Sequence, residues 1–341
     1  MNLDRRCFVV LVLSAAATAS AGRDAFAGGD PLPSWSDGRA KTSILDFVRE
    51  TTASGGASFV PPEDRIACFD QDGTLWVEQP IYTQLVYCFD RVPGVVRAKP
   101  ELADEQPFKT VLSGDRGAIA KLPISDLVKI VGATLTGMNV DVFREDVAKW
   151  LAEARDPRWK RPYTDLIYLP QIELMRFLRA NGYKIYIVTG GGQDFVRAYA
   201  ERVYGVPPEQ VVGTAGGVKY QYDAAGKPVL IKEPTLLLND DKAGKPEGIH
   251  LVIGRRPRFA FGNSSGDREM CEYVTAGDGA RMAMLLLHDD GDREYAYGPA
   301  RGLPDSRIGA FPEALDEEAQ RKGWTVVSMR KDWNRVFDWE N

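Results

Sequence analysis

Short apolar runs alternate with segments of helical periodicity along most of the chain. Apolar residues recur at helical spacing in residues 170–181, 193–204 and 312–322. Other apolar runs are short and continuous, as in buried strands: residues 65–69, 184–188, 210–212, 258–261 and 281–287. Strands that alternate with helices predict an α/β fold with a doubly wound parallel sheet. In such a sheet the ligand crevice lies beyond the carboxyl ends of the strands.

A long segment separates the first predicted strand from the second. The strands end near positions 70 and 189, and this spacing far exceeds what a single crossover helix requires. Amphipathic patterns at 124–135 and 142–154 indicate helices within it. We therefore predict a mainly helical cap, residues 81–164, inserted into an α/β core made of residues 63–80 and 165–341.

The segment before the first strand has a different composition. Residues 28–62 are rich in Gly, Pro and Ser, and we predict a leader segment with one short helix around 42–52. Residues 1–27 resemble a twin-arginine export signal: Arg5-Arg6 precedes an apolar stretch from Cys7 to Ala21, and Ala25-Phe26-Ala27 fits a cleavage site. The stretch is shorter than the roughly 20 residues of a membrane span. We therefore expect signal removal, no stable membrane insertion, and a periplasmic or secreted mature protein.

Composition and charge limit the classes of binding partner that we expect. The 341 residues are 44% hydrophobic and 27% charged, which is typical of a soluble globular protein. The formal net charge of −5 gives no reason to expect nucleic acid or an anionic membrane surface as a partner. Removal of the signal would leave Cys68, Cys88 and Cys271, an odd number that excludes a disulfide scaffold; pairing of Cys88 with Cys271 stays open.

The strongest chemical signal follows the first predicted strand. Asp70-Gln71-Asp72-Gly73-Thr74 places two carboxylates two positions apart at a strand end. Phosphoryl transfer to a protein carboxylate needs a nucleophile, here Asp70, and a second acid, here Asp72, which protonates the leaving oxygen. Gly73 would let the backbone turn sharply with its amides toward a phosphate, and the Thr74 hydroxyl would hold the turn.

This motif resembles the first signature of the haloacid dehalogenase superfamily. The resemblance implies a second strand that ends in Ser or Thr, and Thr189 with Gly190 and Gly191 meets that expectation at a predicted helix start, where a phosphate would bind. It also implies a lysine that neutralises phosphate charge. Lys245 is preferred over Lys242 because Pro246 suits the first turn of a helix, as in the phosphoserine phosphatase-like branch.

The fourth signature of that branch is an acidic loop that binds Mg²⁺. Residues 262–267 resemble it, but Asn263 stands where the related enzymes have an aspartate, while Asp267 keeps the later acidic position. An amide oxygen is still a ligand for a hard cation. By resemblance, the metal ligands are Asp70, the Asp72 backbone carbonyl, Asp267 and Asn263.

Together these motifs predict a Mg²⁺-dependent phosphatase that hydrolyses a small phosphorylated metabolite through an aspartyl-phosphate on Asp70. Dehalogenases lack an acid at the position of Asp72, since a halide leaves without a proton. Two alternatives stay open: a catalytically impaired, secreted phosphate-ester binding protein, and a phosphotransferase that uses the same residues. The sequence does not identify the substrate or the oligomeric state.

Overall fold

The computed structural model describes residues 29–340, and a mostly parallel sheet forms the centre of the fold. Seven strands of the described chain lie in the order β4-β3-β2-β1-β5-β6-β7. Every neighbouring pair is parallel except β3 and β4, which are antiparallel. The strands are β1 (Ile66–Phe69), β2 (Lys184–Gly192), β3 (Val211–Tyr222), β4 (Pro228–Leu238), β5 (Phe259–Gly262), β6 (Met282–Leu287) and β7 (Thr325–Ser328). The predicted α/β fold class is confirmed.

Helices cover the sheet and form the inserted segment. The α-helices are α1 (Arg39–Thr52), α2 (Thr83–Ala98), α3 (Phe108–Leu112), α4 (Arg116–Ile119), α5 (Ile124–Leu135), α6 (Val140–Glu153), α7 (Leu169–Ala180), α8 (Gln193–Arg197), α9 (Ala200–Tyr204), α10 (Gly244–Gly248), α11 (Arg268–Thr275), α12 (Glu313–Lys322) and α13 (Met329–Asp332). A single helix was predicted over 193–204, but Tyr199 leaves the helical conformation with φ −136° and divides it into α8 and α9.

The central strands are buried on both faces. Along β1, Ala67 and Phe69 belong to one apolar cluster, and Ile66 and Cys68 belong to another. Successive side chains of a strand point to opposite faces, so each cluster packs one face of the sheet against its helices. This arrangement explains why β1, β5 and β6 are continuous apolar runs in the sequence.

The segment predicted as a leader contributes to the core of the described fold. Leu32, Trp35 and Ile44 are fully buried in the larger apolar cluster. The Trp35 indole Nε1 donates to the carbonyl oxygen of Pro170 at the start of α7 (2.9 Å). The folded unit therefore includes residues well before β1. The predicted export signal, residues 1–27, lies outside the described residues, as does residue 28.

Two structural units stand over the carboxyl ends of the strands. One is the inserted helical segment, from α2 to α6. The other is an antiparallel hairpin formed by residues 215–222 of β3 and the whole of β4, which the sequence analysis did not predict. The Lys232 amide donates to the Met138 carbonyl (2.9 Å) and the Gly137 amide donates to the Lys232 carbonyl (2.8 Å), so the hairpin is joined to the turn between α5 and α6 of the cap.

The three cysteines of the described chain, Cys68, Cys88 and Cys271, are free and buried. The pairing of Cys88 with Cys271 is therefore not present. Within residues 29–340, no helix has the length and apolar character needed to cross a membrane.

Candidate active site

The predicted site residues meet where β1, β2 and β5 end. Asp70 follows β1, and its amide donates to the carbonyl oxygen of Phe261 in β5 (2.9 Å). Thr189 lies in β2 and Asn263 directly follows β5. Because these parallel strands are neighbours in the sheet, residues separated by more than a hundred positions share one edge.

Lys245 lies at the centre of this site. Its Nζ donates to Asp70 Oδ1 (2.6 Å), to Asp267 Oδ1 (2.6 Å) and to the Val188 carbonyl oxygen (2.9 Å). Its side chain is only 2% exposed. Lys242 is exposed to solvent instead. The geometry therefore assigns to Lys245 the contact with the proposed nucleophile.

The loop after Asp70 is shaped by Gly73 and Thr74. Gly73 has φ +73°, and a Cβ there would lie 2.2 Å from Asn263 Nδ2, so only glycine fits. The Thr74 hydroxyl lies 3.3 Å from Asp70 Oδ2 and 3.1 Å from Asn263 Oδ1. His288 Nε2 donates to the Gly73 carbonyl oxygen (2.7 Å) and so holds the turn from a distant part of the chain.

Asp72 is oriented by a neighbouring indole. Its Oδ1 accepts a hydrogen bond from Trp76 Nε1 (2.7 Å). Its other oxygen faces the glycine loop, since a Cβ at Gly191 would lie 3.6 Å from Asp72 Oδ2. Shielding from bulk water raises the pKa of Asp72 to about 6. A carboxyl group with such a pKa can both donate and accept a proton near neutral pH.

The electrostatic balance of the site is negative. Burial and the neighbouring Asp267 raise the pKa of Asp70 to about 8, against the lowering effect of Lys245. The pKa of Lys245 is itself raised, because contact with Asp267 and Asp70 outweighs its burial. One buried cation is thus shared by two carboxylates. A divalent cation or a proton would offset the remaining charge.

Glu78 is a further acidic residue of the site that the sequence analysis missed. It is 2% exposed, and its Oε1 accepts hydrogen bonds from Asn263 Nδ2 (2.7 Å) and from the Tyr297 hydroxyl (2.8 Å). Burial raises the pKa of Glu78 well above its ordinary value. The signal available in the sequence was a single carboxylate that follows the apolar run Leu75-Trp76-Val77.

The two residues of the predicted acidic loop are held differently. Asp267 Oδ2 accepts from the amides of Asn263 (2.9 Å) and Ser264 (3.0 Å), while its Oδ1 is held by Lys245. Its oxygens are therefore already used to shape the loop and position the lysine. Asn263 directs its amide nitrogen to Glu78, which leaves its oxygen facing Thr74 and, through Thr74, Asp70.

The site offers oxygen donors, which are the ligands that Mg²⁺ prefers. Within residues 29–340, no group of three or more His, Cys, Asp or Glu side chains is arranged to hold a metal ion. Mg²⁺ commonly takes only one or two protein carboxylates and completes its shell with water and substrate phosphate. Asp70, the Asp72 backbone carbonyl and the Asn263 amide oxygen are oxygen donors of that kind, in a site with excess negative charge. These residues fit Mg²⁺.

The predicted phosphate-binding turn lines the same cavity as Asp70 and Asp72. The Thr189 hydroxyl accepts from the Gly191 amide (3.0 Å), and the Gly190 carbonyl accepts from the Thr214 hydroxyl (2.8 Å). A cavity of about 600 Å³ opens above these groups. Predicted site residues that line it are Asp70, Asp72, Thr189, Gly190, Gly191, Lys245 and Asp267. Gly73, Thr74 and Asn263 support Asp70 from outside that lining.

Solved structures resemble this chain in fold at low sequence identity. No curated protein sequence matches the chain significantly. A conserved protein of unknown function from Anaerococcus prevotii DSM 20548 is 14% identical, covers 85% of this chain and 91% of its own, and superposes with a TM-score of 0.53. This similarity concerns the fold.

Two other solved structures superpose less closely. A phosphoserine phosphohydrolase-like protein from Francisella tularensis subsp. tularensis SCHU S4 is 16% identical, with 66% of this chain and 88% of that chain covered and a TM-score of 0.36. Cytosolic 5'-nucleotidase IIIB, bound to cytidine, is 14% identical, with 85% of this chain and 86% of that chain covered and a TM-score of 0.40.

A family model gives the decisive match. The model for haloacid dehalogenase-like hydrolase matches residues 67–272, more than half of the chain, from β1 to α11. This span includes the Asp70 motif, Thr189, Lys245 and Asp267. The chain therefore belongs to the haloacid dehalogenase-like hydrolases.

Proposed function

We propose that this hydrolase is a Mg²⁺-dependent phosphatase that acts on a small phosphate monoester. The observation that carries the proposal is the contact of Lys245 Nζ with Asp70 Oδ1 (2.6 Å), beside a second acid, Asp72, whose pKa is raised to about 6. This combination provides a nucleophilic carboxylate, a cation for the transferring phosphate and an acid for the leaving group.

The reaction would proceed in two steps on Asp70. In the first, an oxygen of Asp70 attacks phosphorus, the bond from phosphorus to the ester oxygen breaks, and Asp72 gives its proton to the departing alkoxide. In the second, Asp72 accepts a proton from water as that water attacks the aspartyl-phosphate and releases inorganic phosphate. Lys245 and Thr189 hold the phosphate oxygens in both steps.

Bound Mg²⁺ would offset the charge that Asp70 and the phosphate share. Its proposed ligands are Asp70, the Asp72 carbonyl and Asn263. Asp267 is the fourth ligand implied by the family pattern, and the structure has its oxygens on Lys245 and the loop amides. We therefore propose that the role of Asp267 is to position Lys245.

The presence of Asp72 also favours phosphate-ester hydrolysis over dehalogenation. An acid that is hydrogen-bonded to Trp76 and faces the glycine loop serves a leaving group that needs a proton. A halide leaves as a stable anion and needs none. The presence of this acid favours phosphate esters within the family.

The test is hydrolysis of p-nitrophenyl phosphate with Mg²⁺ by wild type, Lys245→Ala and Lys242→Ala. We expect turnover by wild type and by Lys242→Ala, and a loss of at least a hundredfold in kcat/KM for Lys245→Ala. Phosphate binding without turnover in all three would identify a binding protein. If an added alcohol lowered the yield of free phosphate but not of nitrophenol, the protein would be a phosphotransferase.

A further inference from the structure

Helix α5 has two apolar faces, and residues 29–340 cover only one of them. Ile130 and Thr134 are buried on the side that packs against α2. Ile124, Val128 and Val131 follow at helical spacing on the side that lines the catalytic cavity. On this side Ile124 is 73% exposed and Val128 is 63% exposed. A stripe of this kind on a helix is normally covered by protein or by a ligand.

A second element, the β3–β4 hairpin, also lines the cavity with apolar residues. The β3–β4 hairpin contributes Pro234 and Leu236 to the lining, and Leu236 is 60% exposed. Leu85 and Phe143 add further apolar surface to the lining. Asp70 lines the same cavity, so these apolar residues and the proposed nucleophile face one common space.

The positive charges of the cavity are already paired. Of the described residues that line it, only Lys232 and Lys245 are cationic. Lys245 forms ion pairs with Asp70 and Asp267. Lys232 Nζ donates to Asp194 Oδ2 (2.5 Å) and lies 4.7 Å from the centre of the Phe143 ring. A carboxylate or a second phosphate on the leaving group would therefore be desolvated without a free cation to receive it.

We propose that the substrate's leaving group is an uncharged, largely apolar alcohol, held between the exposed face of α5 and the β3–β4 hairpin. This inference rests on the proposed phosphatase function and names its substrate class: monophosphate esters of aliphatic or aromatic alcohols. The phosphate would bind at Asp70 and Lys245, and the hydrocarbon would cover Ile124, Val128 and Leu236. Burial of their apolar surface supplies the selectivity.

Binding of non-hydrolysable phosphonates tests this inference separately from catalysis. Calorimetry with Mg²⁺ present compares methylphosphonate, hexylphosphonate and the phosphonate analogue of phosphoserine. A fully buried methylene strengthens binding about fourfold, so five partly buried methylenes predict at least a tenfold tighter Kd for hexylphosphonate than for methylphosphonate. The phosphoserine analogue should bind no more tightly than methylphosphonate.

Two valine variants provide the matched comparison. Val128→Gln should reduce the affinity ratio of hexylphosphonate to methylphosphonate three- to tenfold and leave methylphosphonate binding unchanged. Val142→Gln is the control: Val142 is also a cap residue and is 56% exposed, but it does not line the cavity. Its ratio should equal that of wild type.

Several results would overturn the inference. They are a hexyl-to-methyl ratio near one in wild type, an equal loss in the two valine variants, or tighter binding of the phosphoserine analogue than of hexylphosphonate. Tightest binding of 2-aminoethylphosphonate would also overturn it, and would assign the leaving-group site to Glu233 and Asp241, which line the same cavity. Failure of the proposed function is a separate result: hexylphosphonate binds as expected, but hexyl phosphate and p-nitrophenyl phosphate are not hydrolysed.

Discussion

Substitution of Asn263 by aspartate tests the hydrogen-bond arrangement behind the nucleophile. Asn263 Nδ2 donates to Glu78 Oε1 at 2.7 Å, and an aspartate would place an acceptor there instead of a donor. Two unit charges at 2.7 Å repel by about 6 kcal/mol at an effective dielectric constant near 20. The pair would avoid most of this cost if the two carboxyl groups shared a proton.

With a shared proton, two costs to the free energy of unfolding remain: the loss of the hydrogen bond from Asn263 and the uptake of the proton. Removal of the donor from a buried acceptor costs about 1–3 kcal/mol. We therefore expect Asn263→Asp to lower the free energy of unfolding by about 2–3 kcal/mol at pH 8 without Mg²⁺. The loss should be smaller at pH 5, where a shared proton is readily available, because the raised pKa of the pair makes the folded state bind more protons than the unfolded state.

The control is the double variant Asn263→Asp with Glu78→Gln. The amide introduced by Glu78→Gln can donate to the new carboxylate, so the double variant should recover at least about 1 kcal/mol relative to the sum of the single variants. Urea unfolding of all four proteins in a chelator provides the measurement. If Asn263→Asp were as stable as wild type at pH 8, or if the two effects were additive, the contact with Glu78 would not matter in solution.

The same double variant tests whether residue 263 is a ligand of Mg²⁺. From charge alone, an added carboxylate at position 263 is expected to tighten Mg²⁺ binding by about tenfold, or about 1.4 kcal/mol. With Glu78 present, proton sharing cancels part of this gain, so the tenfold increase should appear in the double variant and be smaller in Asn263→Asp alone. Mg²⁺ calorimetry measures this directly; equal Kd values for wild type and both variants would remove Asn263 from the ligand set.

Further predictions concern the catalytic acids, pH and export. Asp70→Asn should abolish turnover while phosphate affinity and the thermal midpoint stay near wild type, and activity near wild type would contradict the mechanism. Asp72→Asn should slow alkyl phosphates far more than nitrophenyl phosphate; an equal loss would exclude Asp72 as the general acid. Because the folded-state pKa values of Asp70 (about 8) and Asp72 (about 6) lie above unfolded values near 4, metal-free stability should fall as pH rises from 4 to 8. Denaturant titrations across that range in a chelator test this, and a flat or rising profile would contradict it. Replacement of Arg5 and Arg6 by lysine should retain the enzyme in the cytoplasm; unchanged periplasmic activity would refute the export proposal.

The central strands could be predicted from the sequence because burial on both faces requires continuous apolar runs. β1, β5 and β6 have this property, and β2 has it in part, over residues 185–188. β7 is a four-residue edge strand and was missed. β4 was missed because it carries Lys232, Glu233 and Pro234, and its ladder to β3 has register shifts that disturb the alternation of side chains.

In the candidate site too, residues that are close in sequence could be predicted, and residues that reach the site from distant parts of the chain could not. Asp70, Asp72, Gly73 and Thr74 are consecutive or nearly so, and their chemistry could be recognised from the spacing alone. His288 and Tyr297 reach the same site from more than two hundred positions away, and no local pattern marks them. Such residues become visible only when the order of strands brings their loops to the edge that contains Asp70.

The neutral residue at position 263 is explained by its neighbours on both sides. The Asn263 amide accepts from Thr74 through its oxygen and donates to Glu78 through its nitrogen. A carboxylate can only accept, so an aspartate at this position would remove one of the two donors to Glu78 Oε1, and only the Tyr297 hydroxyl would remain unless a proton were taken up from solution. Glu78 therefore supplies a carboxylate behind position 263, and the amide presents an uncharged oxygen toward Asp70. The departure from the acidic family pattern at Asn263 and the buried Glu78 are two parts of one arrangement, and a substitution at either position should be compensated only at the other.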